Sequence, residues 1–444
     1  MLIGRTEELE YLKGYYEKDG IYLLIFYGRR YVGKTAILRE FIRGKPYCYH
    51  MARACSGEEQ LSELEKLRER KGDSSGDKEV IIVEEFHRMV RTGGDVTEAL
   101  FGLTDSAAGE NGVLVIFTSS CIGWVENRMV SAAGKAARKI SDVFKVRELD
   151  FRYMEEFFPA YSARQRMEVY GALGGVAGWW QLFSGRCSVK ENVCRTVLDV
   201  GGMLHRMADA LLGEELREPA VYNTILAALA SGKEKLNDLY LATGYSRAKL
   251  SVYLGNLAEM NWVEKVYSLE AGENGGKGCG TKDGAKKGVY RICNHYVRFY
   301  YTYVYGGDDR LFRMSPERYY NTYILPDRDR YMEEPFREIC RQHMEMCAGR
   351  GELPVKARRI GRWSGKKGSI DIVVQGEDGR NLLALCRISR MGISYEEYGG
   401  LLETAAKAGF RADYVWLYGE LFDERIVREA ERQEKLTLID IRKI

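Results

Sequence analysis

The stretch IYLLIFYGRRYVGKTAILREFI, Ile21 to Ile42, decides the reading of this chain. Seven apolar or aromatic residues lead into Gly28, the spacing G-x-x-x-x-G-K-T follows to Thr35, and a helix-like run leads out. The residue types fit one physical task. Gly28 and Gly33 let the backbone curl so that successive N–H groups turn inward, where they meet phosphate oxygens. The helix that starts near Lys34 adds its positive end, Lys34 neutralises β and γ phosphates, and the Thr35 hydroxyl suits Mg²⁺. The flanks agree: Ile21–Tyr27 suits a strand buried on both faces, and Ala36, Ile37 and Phe41 repeat at helical spacing. The loop is therefore read as holding ATP with Mg²⁺. Its nucleotide-contact set is Gly28, Arg29, Arg30, Tyr31, Val32, Gly33, Lys34, Thr35 and Ala36.

A phosphate loop that hydrolyses its nucleotide needs a carboxylate at the end of a neighbouring strand. EVIIVEEFHRM (Glu79–Met89) supplies a strand over Val80–Val83, then Glu84 for the metal shell and Glu85 to orient water. The usual first residue is Asp, so Glu84 is one methylene longer. GVLVIFTSS (Gly112–Ser120) is a further buried strand, ending in hydroxyls, of which Ser119 is the candidate for the attacking water or the γ-phosphate. Ahead of the loop, LIGRTEELEYL (Leu2–Leu12) sends Gly4 and Arg5 into an amphipathic helix, placed beside the adenine in this reading.

Taken in order, LIGRTEELEYL, YGRRYVGKT, the carboxylate strand and FTSS resemble the archaeal-type ATPases of the AAA/STAND-related P-loop class. LDFRYMEEFFPAY (Leu149–Tyr161) and GGVAGWWQLF (Gly174–Phe183) resemble that family's approach to its helical lid and its GGVP turn, with Ala177 where proline is usual. The resemblance also implies basic residues after the hydroxyl strand. GKAARKIS gives Lys135, Arg138 and Lys139, with Arg138 preferred as a transition-state cation and a solvated basic turn as the alternative.

The 444-residue length calls for about three domains, and a net charge of +3 means that any nucleic-acid contact must come from a local patch. No signal-peptide core and no run of about 18 apolar residues occurs, so a cytoplasmic protein without membrane contact is expected. Ten scattered cysteines without a C-x-x-C pair read as reduced, buried thiols.

From Pro219 the pattern is helical, and a tight TGY turn precedes Ser246, an N-cap for a helix with Leu250, Leu254 and Leu257 on one face. WVEKVYSL and GVYRIC alternate as strands around Ala271–Gly288. The plan is a winged helix with Arg247, Lys249 and Ser251 as candidate contacts to duplex DNA. The long wing tip carries Lys277, Lys282, Lys286 and Lys287. Ser231 to Tyr267 holds five Lys/Arg against four acids, a weak DNA face, so packing against a partner protein stays open. Further on, Tyr296, Phe299, Tyr300 and Tyr303 share a helical face and are expected in a core. At the family's junction motif, Asn294 stands for the usual aspartate and His295 for the proline.

RRIGRWSGKKGSIDIVVQGEDGRNLLALCRIS (Arg358–Ser389) resembles the restriction-endonuclease-like segment often found at this family's carboxyl end. That chemistry needs Asp on one strand and Glu-x-Lys on the next. Asp371 fits the first position, but Leu385 and Arg387 replace Glu and Lys, and Arg337 stands where the resemblance implies an acid. The segment is read as a nuclease fold without its chemistry. Arg358, Arg359, Arg362, Lys366 and Lys367 remain as a phosphate-binding surface.

The expected fold class is α/β. Its parts are a P-loop NTPase core with a parallel sheet (1–150), a helical lid (151–217) and a winged helix (218–294, wing tip 271–288). A helical connector (295–330) and a nuclease-like α/β domain (331–444) complete it. The expected function is a slow Mg²⁺-dependent ATPase coupling nucleotide state to a DNA- or protein-binding module, with assembly into a homo-oligomer open. The alternatives are an ATP-gated module that does not hydrolyse and, third, an ATP-regulated nuclease.

Overall fold

The computed structural model describes residues 2–69, 78–106, 112–271, 288–366 and 368–444. The expected lysines 277, 282, 286, 287 and 367 lie outside these residues. The described residues form two compact units.

The first unit comprises Met1–Leu149, Gly175–Gln181 and Glu259–Asn261. Its sheet contains β1 (Ile21–Tyr27), β2 (Tyr47–Met51), β3 (Glu79–Glu84), β4 (Val113–Ser119) and β5 (Asp142–Lys145), ordered β2-β3-β4-β1-β5. Every pairing is parallel. Alternate residues explain the uninterrupted apolar runs. Leu24, Phe26, Ile82 and Ile116 pack with Leu12, Ile37 and Phe41 of the helices Thr6–Tyr16 and Lys34–Phe41. Leu23, Ile25, Val83 and Phe117 pack with Phe86, Phe101 and Trp124 on the opposite face. Both sides of β1 and β4 are thus removed from water. The carboxylate strand differs from expectation in one respect: β3 is not the immediate neighbour of β1, because β4 lies between them.

The second unit comprises Asp150–Gly174, Leu182–Ala258 and Trp262–Ile444. Within the expected lid region, the stretch Gly175–Gln181 groups with the phosphate-loop unit. An added Cβ at Gly175 would lie 2.0 Å from the Leu149 carbonyl, so only glycine lets these two backbones meet. Three helices, Pro219–Ala230, Leu236–Thr243 and Arg247–Glu259, precede the antiparallel pair β6 (Val263–Val266) and β7 (Val289–Ile292). Gly244 ends the second helix in the left-handed region, and the Ser246 hydroxyl accepts the Lys249 N–H at 3.2 Å to start the third.

Asn294 caps the helix His295–Tyr303 by accepting the Val297 N–H at 3.0 Å, a task asparagine performs as well as aspartate. Tyr296, Phe299, Tyr300 and Tyr303 are buried as expected. A second sheet, ordered β12-β11-β10-β9-β8, contains β8 (Ala357–Gly365), β9 (Gly368–Gly376), β10 (Asn381–Cys386), β11 (Tyr414–Gly419) and β12 (Leu436–Asp440). It is antiparallel from β8 to β10 and parallel from β10 to β12. Nine cysteines are described and all are unbridged, with Cys55, Cys187 and Cys293 only partly buried. No described helix is long and apolar enough to cross a membrane.

Candidate nucleotide site

The parallel strands direct their carboxyl ends to one edge of the first sheet, and the Gly28–Thr35 loop lies there. Gly28 is tied to β4 by its N–H on the Ser119 carbonyl at 3.1 Å. A Cβ at Gly28 would stand 2.4 Å from the Val146 carbonyl, and Gly33 has φ +113° as the N-cap of Lys34–Phe41. Both glycines are therefore required by geometry. Tyr31 also takes positive φ, and its carbonyl accepts the Gly178 N–H at 2.9 Å. Val32 is buried, Ala36 is exposed on the first turn and Arg30 is half-buried.

Lys34 is 7% exposed, and its ammonium donates to the Gly28 carbonyl at 2.7 Å and to the Arg29 carbonyl at 3.1 Å. Burial pulls its pKa below the usual lysine value, opposed by the nearby Glu85 and Glu84 carboxylates. The Thr35 hydroxyl donates to Glu84 Oε1 at 2.7 Å, and the Tyr49 hydroxyl donates to Glu84 Oε2 at 2.9 Å. Thr35 and Glu84 thus present two oxygens side by side, and the extra methylene of Glu84 spans the gap between them. Burial and the Glu84 carboxylate push the Tyr49 phenol pKa up, so it stays a donor.

Glu85 takes φ +56° at the exit of β3, a conformation non-glycine residues rarely adopt. Its Oε2 accepts the Ser120 N–H at 3.1 Å and the Ser120 hydroxyl at 2.8 Å. Burial opposes its charge, but Lys34, His87 and the Ser120 donors outweigh burial and hold the carboxyl below the usual range.

Three expected site residues are placed differently. Ser119 is fully buried, with its hydroxyl on His87 Nδ1 at 3.0 Å and on the Cys121 N–H at 3.1 Å; Ser120 instead reaches Glu85. One residue of strand register moves the hydroxyl to the other face. Arg5 does not stand free beside an adenine. Its guanidinium is buried on Glu8 at 2.6 Å, the Arg147 carbonyl at 2.9 Å and the Val32 carbonyl at 2.7 Å, bracing the loop from behind; Gly4 turns the chain there with φ +65°. Arg138 is exposed on Gly134–Lys139, which feeds the amino end of β5. Ser141 is level with Leu23, four residues or roughly 13 Å below the end of β1, so the stretch lies away from the phosphate loop. Arg29 pairs with Glu148 at 2.8 Å and donates to the Asn261 carbonyl at 2.7 Å. Tyr49 and His87 were not legible as site residues: neither belongs to a spaced motif, and only the sheet order and the β3 exit bring them in.

In the second unit Arg247 is exposed, donates to Asn237 at 2.7 Å and lies over the Tyr240 ring. Lys249 lies over the Tyr245 and Tyr253 rings, and the Ser251 hydroxyl bonds the Arg247 carbonyl at 2.9 Å. Farther along, Asp371 faces Arg337 Nε with Oδ1 at 3.1 Å, while Oδ2 accepts Arg387 Nη1 and the Cys386 N–H, both at 3.0 Å. Arg387 also donates to Glu397 at 2.7 Å. Two guanidiniums thus cover the carboxylate that a nuclease would present to a cation.

A family described as archaeal and bacterial proteins of unknown function, DUF234, matches residues 300–390. The chain is 22% identical over 397 residues to the uncharacterized protein MJECL04 of Methanocaldococcus jannaschii, covering 86% of each. It is 42% identical over 45 residues to the uncharacterized ATP-binding protein MJ0423 of the same organism, covering 10% of this chain and 76% of that one. Among solved structures it is similar to the Walker-type ATPase PABY2304 of Pyrococcus abyssi (TM-score 0.48, 18% identity, 68% of this chain and 96% of that one). It is also similar to the ORC2 protein of Aeropyrum pernix (TM-score 0.46, 12% identity, 70% and 94%). The chain thus carries a phosphate loop on a five-stranded parallel sheet, the α/β arrangement of a P-loop NTPase core, and the DUF234 match lies in its second unit, at residues 300–390.

Proposed function

We propose that the chain binds ATP with Mg²⁺ at Gly28–Thr35 and hydrolyses it slowly. The observation that supports this most is the 2.7 Å contact between Thr35 and Glu84 beside the buried Lys34, where β1 meets its helix. Thr35 and Glu84 are the residues that would hold the metal, which supplies charge neutralisation at the phosphates. Lys34 exchanges loop carbonyls for phosphate oxygens, and the turned-in N–H groups bind the rest. Glu85, charged throughout the neutral range, orients and deprotonates the attacking water, while Ser120 fixes its carboxylate. The M. jannaschii relative whose name records ATP binding adds weight over its 45 matched residues.

The three helices and the β6–β7 pair act in this reading as a winged-helix module that reports nucleotide state to duplex DNA or a partner protein. The Asp371 site is inactive because arginines hold its carboxylate. A second reading, an ATP-gated module that does not turn over, is favoured by Tyr49, which claims the second oxygen of Glu84. Phosphate release by the purified chain, with and without duplex DNA over a salt series, separates the two. Release lost in Lys34→Ala supports the first, and tight ATP binding without release supports the second.

A further inference from the structure

Tyr49 stands on β2, the edge strand of the first sheet, and pairs across the ladder with Ile82, two residues before Glu84. Paired residues of parallel neighbours share a face, and so do residues two apart on one strand. Tyr49 and Glu84 therefore lie on the same side of the sheet. That side is covered by the helix Lys34–Phe41, whose first turn carries Thr35. Two residues of strand cover about 6.6 Å. The Tyr49 ring spans that rise and sets its hydroxyl 2.9 Å from Glu84 Oε2. Tyr49 is 42% exposed and Glu84 is 3% exposed, so an edge tyrosine reaches a buried carboxylate.

Glu84 has need of such a partner. Where the resemblance implies aspartate, glutamate brings one more side-chain torsion, and that freedom must be removed to keep the carboxylate in one place. The two oxygens are fixed from opposite elements: Thr35 on the helix donates to Oε1 at 2.7 Å, and Tyr49 on β2 donates to Oε2. Without the phenol the anchor at Oε2 is gone, and the carboxylate can swing about the Thr35 contact. Burial and the Glu84 charge push the phenol pKa up, so the hydroxyl keeps its proton.

We propose that Tyr49 is a positioning residue for the cation-holding pair: its hydroxyl fixes Oε2 of Glu84 and so keeps Oε1 against Thr35, which lets the longer glutamate serve in an aspartate's place. This rests on the reading of Thr35 and Glu84 given above. The alternative, a tyrosine that merely covers the sheet edge, calls for the ring and not for the hydroxyl.

The test uses the full chain in four forms: wild type, Tyr49→Phe, Glu84→Asp and the two substitutions together. Affinity for a non-hydrolysable ATP analogue is measured by isothermal titration with saturating Mg²⁺ and again with a chelator, and the ratio gives the cation's contribution. Phosphate release from ATP is followed on the same samples. Tyr49→Phe should cut the ratio about tenfold while affinity with chelator stays within about twofold. In Glu84→Asp, whose shorter side chain no longer meets the phenol, adding Tyr49→Phe should change the ratio by less than about twofold. An unchanged ratio in Tyr49→Phe overturns the proposal. So does an equal loss with and without Mg²⁺, the mark of a generally loosened site, and so does faster phosphate release with the ratio intact, the mark of a brake. A wild-type chain that binds no analogue, or gains nothing from Mg²⁺, overturns the cation-holding pair and the role of Tyr49 with it. The ratio needs no turnover, so the expected ratios without phosphate release by wild type would support the role of Tyr49 and refute the hydrolytic reading alone.

Discussion

Asp371 gives the sharpest test of how the second unit has been rebuilt. Its side chain is 9% exposed, against 17% for Arg337 and 34% for Arg387, so Asp371→Ala removes a carboxylate between two largely buried guanidiniums. Removing one partner of a buried pair costs about 3–5 kcal/mol when nothing else neutralises the other. Here each arginine keeps a second carboxylate, Glu334 for Arg337 and Glu397 for Arg387, and Arg387 is a third in water. The loss should therefore be about 2–4 kcal/mol, a melting temperature lower by roughly 4–12 °C for a unit of this size. Asp371→Asn keeps one acceptor for Arg387 and the Cys386 N–H and should lose roughly half as much. Urea unfolding followed by tryptophan fluorescence reads both, because Trp363 and Trp416 lie on β8 and β11 of the same sheet. An Asp371→Ala protein within about 0.5 kcal/mol of wild type would refute the view that this carboxylate is a structural counter-ion. Mg²⁺-dependent plasmid nicking that disappears in that variant would reinstate the nuclease.

Acid should weaken the same region through Glu334. Burial opposes its charge, but Arg337, Arg291 and Arg362 hold its pKa at about 2, below the usual 4.5. Its contribution is present above about pH 4.5 and fades as pH falls toward 2. With a third of the side chain in water it amounts to about 1–2 kcal/mol. Glu334→Gln should flatten that limb of the stability–pH curve, and an unaltered limb would assign it elsewhere. In the phosphate loop, Gly28→Ala drives a methyl against the Val146 carbonyl, 2.4 Å away, and should lower ATP affinity at least about tenfold by isothermal titration. Glu84→Asp withdraws the carboxylate from Thr35 and Tyr49, now at 2.7 and 2.9 Å. The Mg²⁺ concentration for half-maximal turnover should rise several-fold, whereas faster turnover would favour the gated reading.

What was legible in the sequence followed from local rules. The phosphate loop, its strand and its helix depend on residues within 22 positions, and their glycines have one steric explanation each. The capping residue Ser246 was equally local. Other features depend on pairings that no spacing encodes. Tyr49 meets Glu84 because β2 pairs with β3, and Ser120 rather than Ser119 meets Glu85 because the chain has left the pleat by one residue. Arg5 was read as lying beside the adenine, yet its guanidinium is buried on three partners that belong to the chain itself. Arg387 and Arg337 both stood out where the resemblance implies a lysine and an acid, but no spacing encodes that Arg337 reaches Asp371 from a helix 34 residues earlier.

ATP hydrolysis by the purified wild-type chain beside Lys34→Ala, each with nucleotide binding measured on the same sample, tests the central claim most directly. Slow, Mg²⁺-dependent phosphate release by wild type, with binding and release both lost in Lys34→Ala, is the predicted result. Equal binding and equal release by the two proteins would contradict it, because a buried ammonium at the mouth of the phosphate loop would then have no part in holding phosphate.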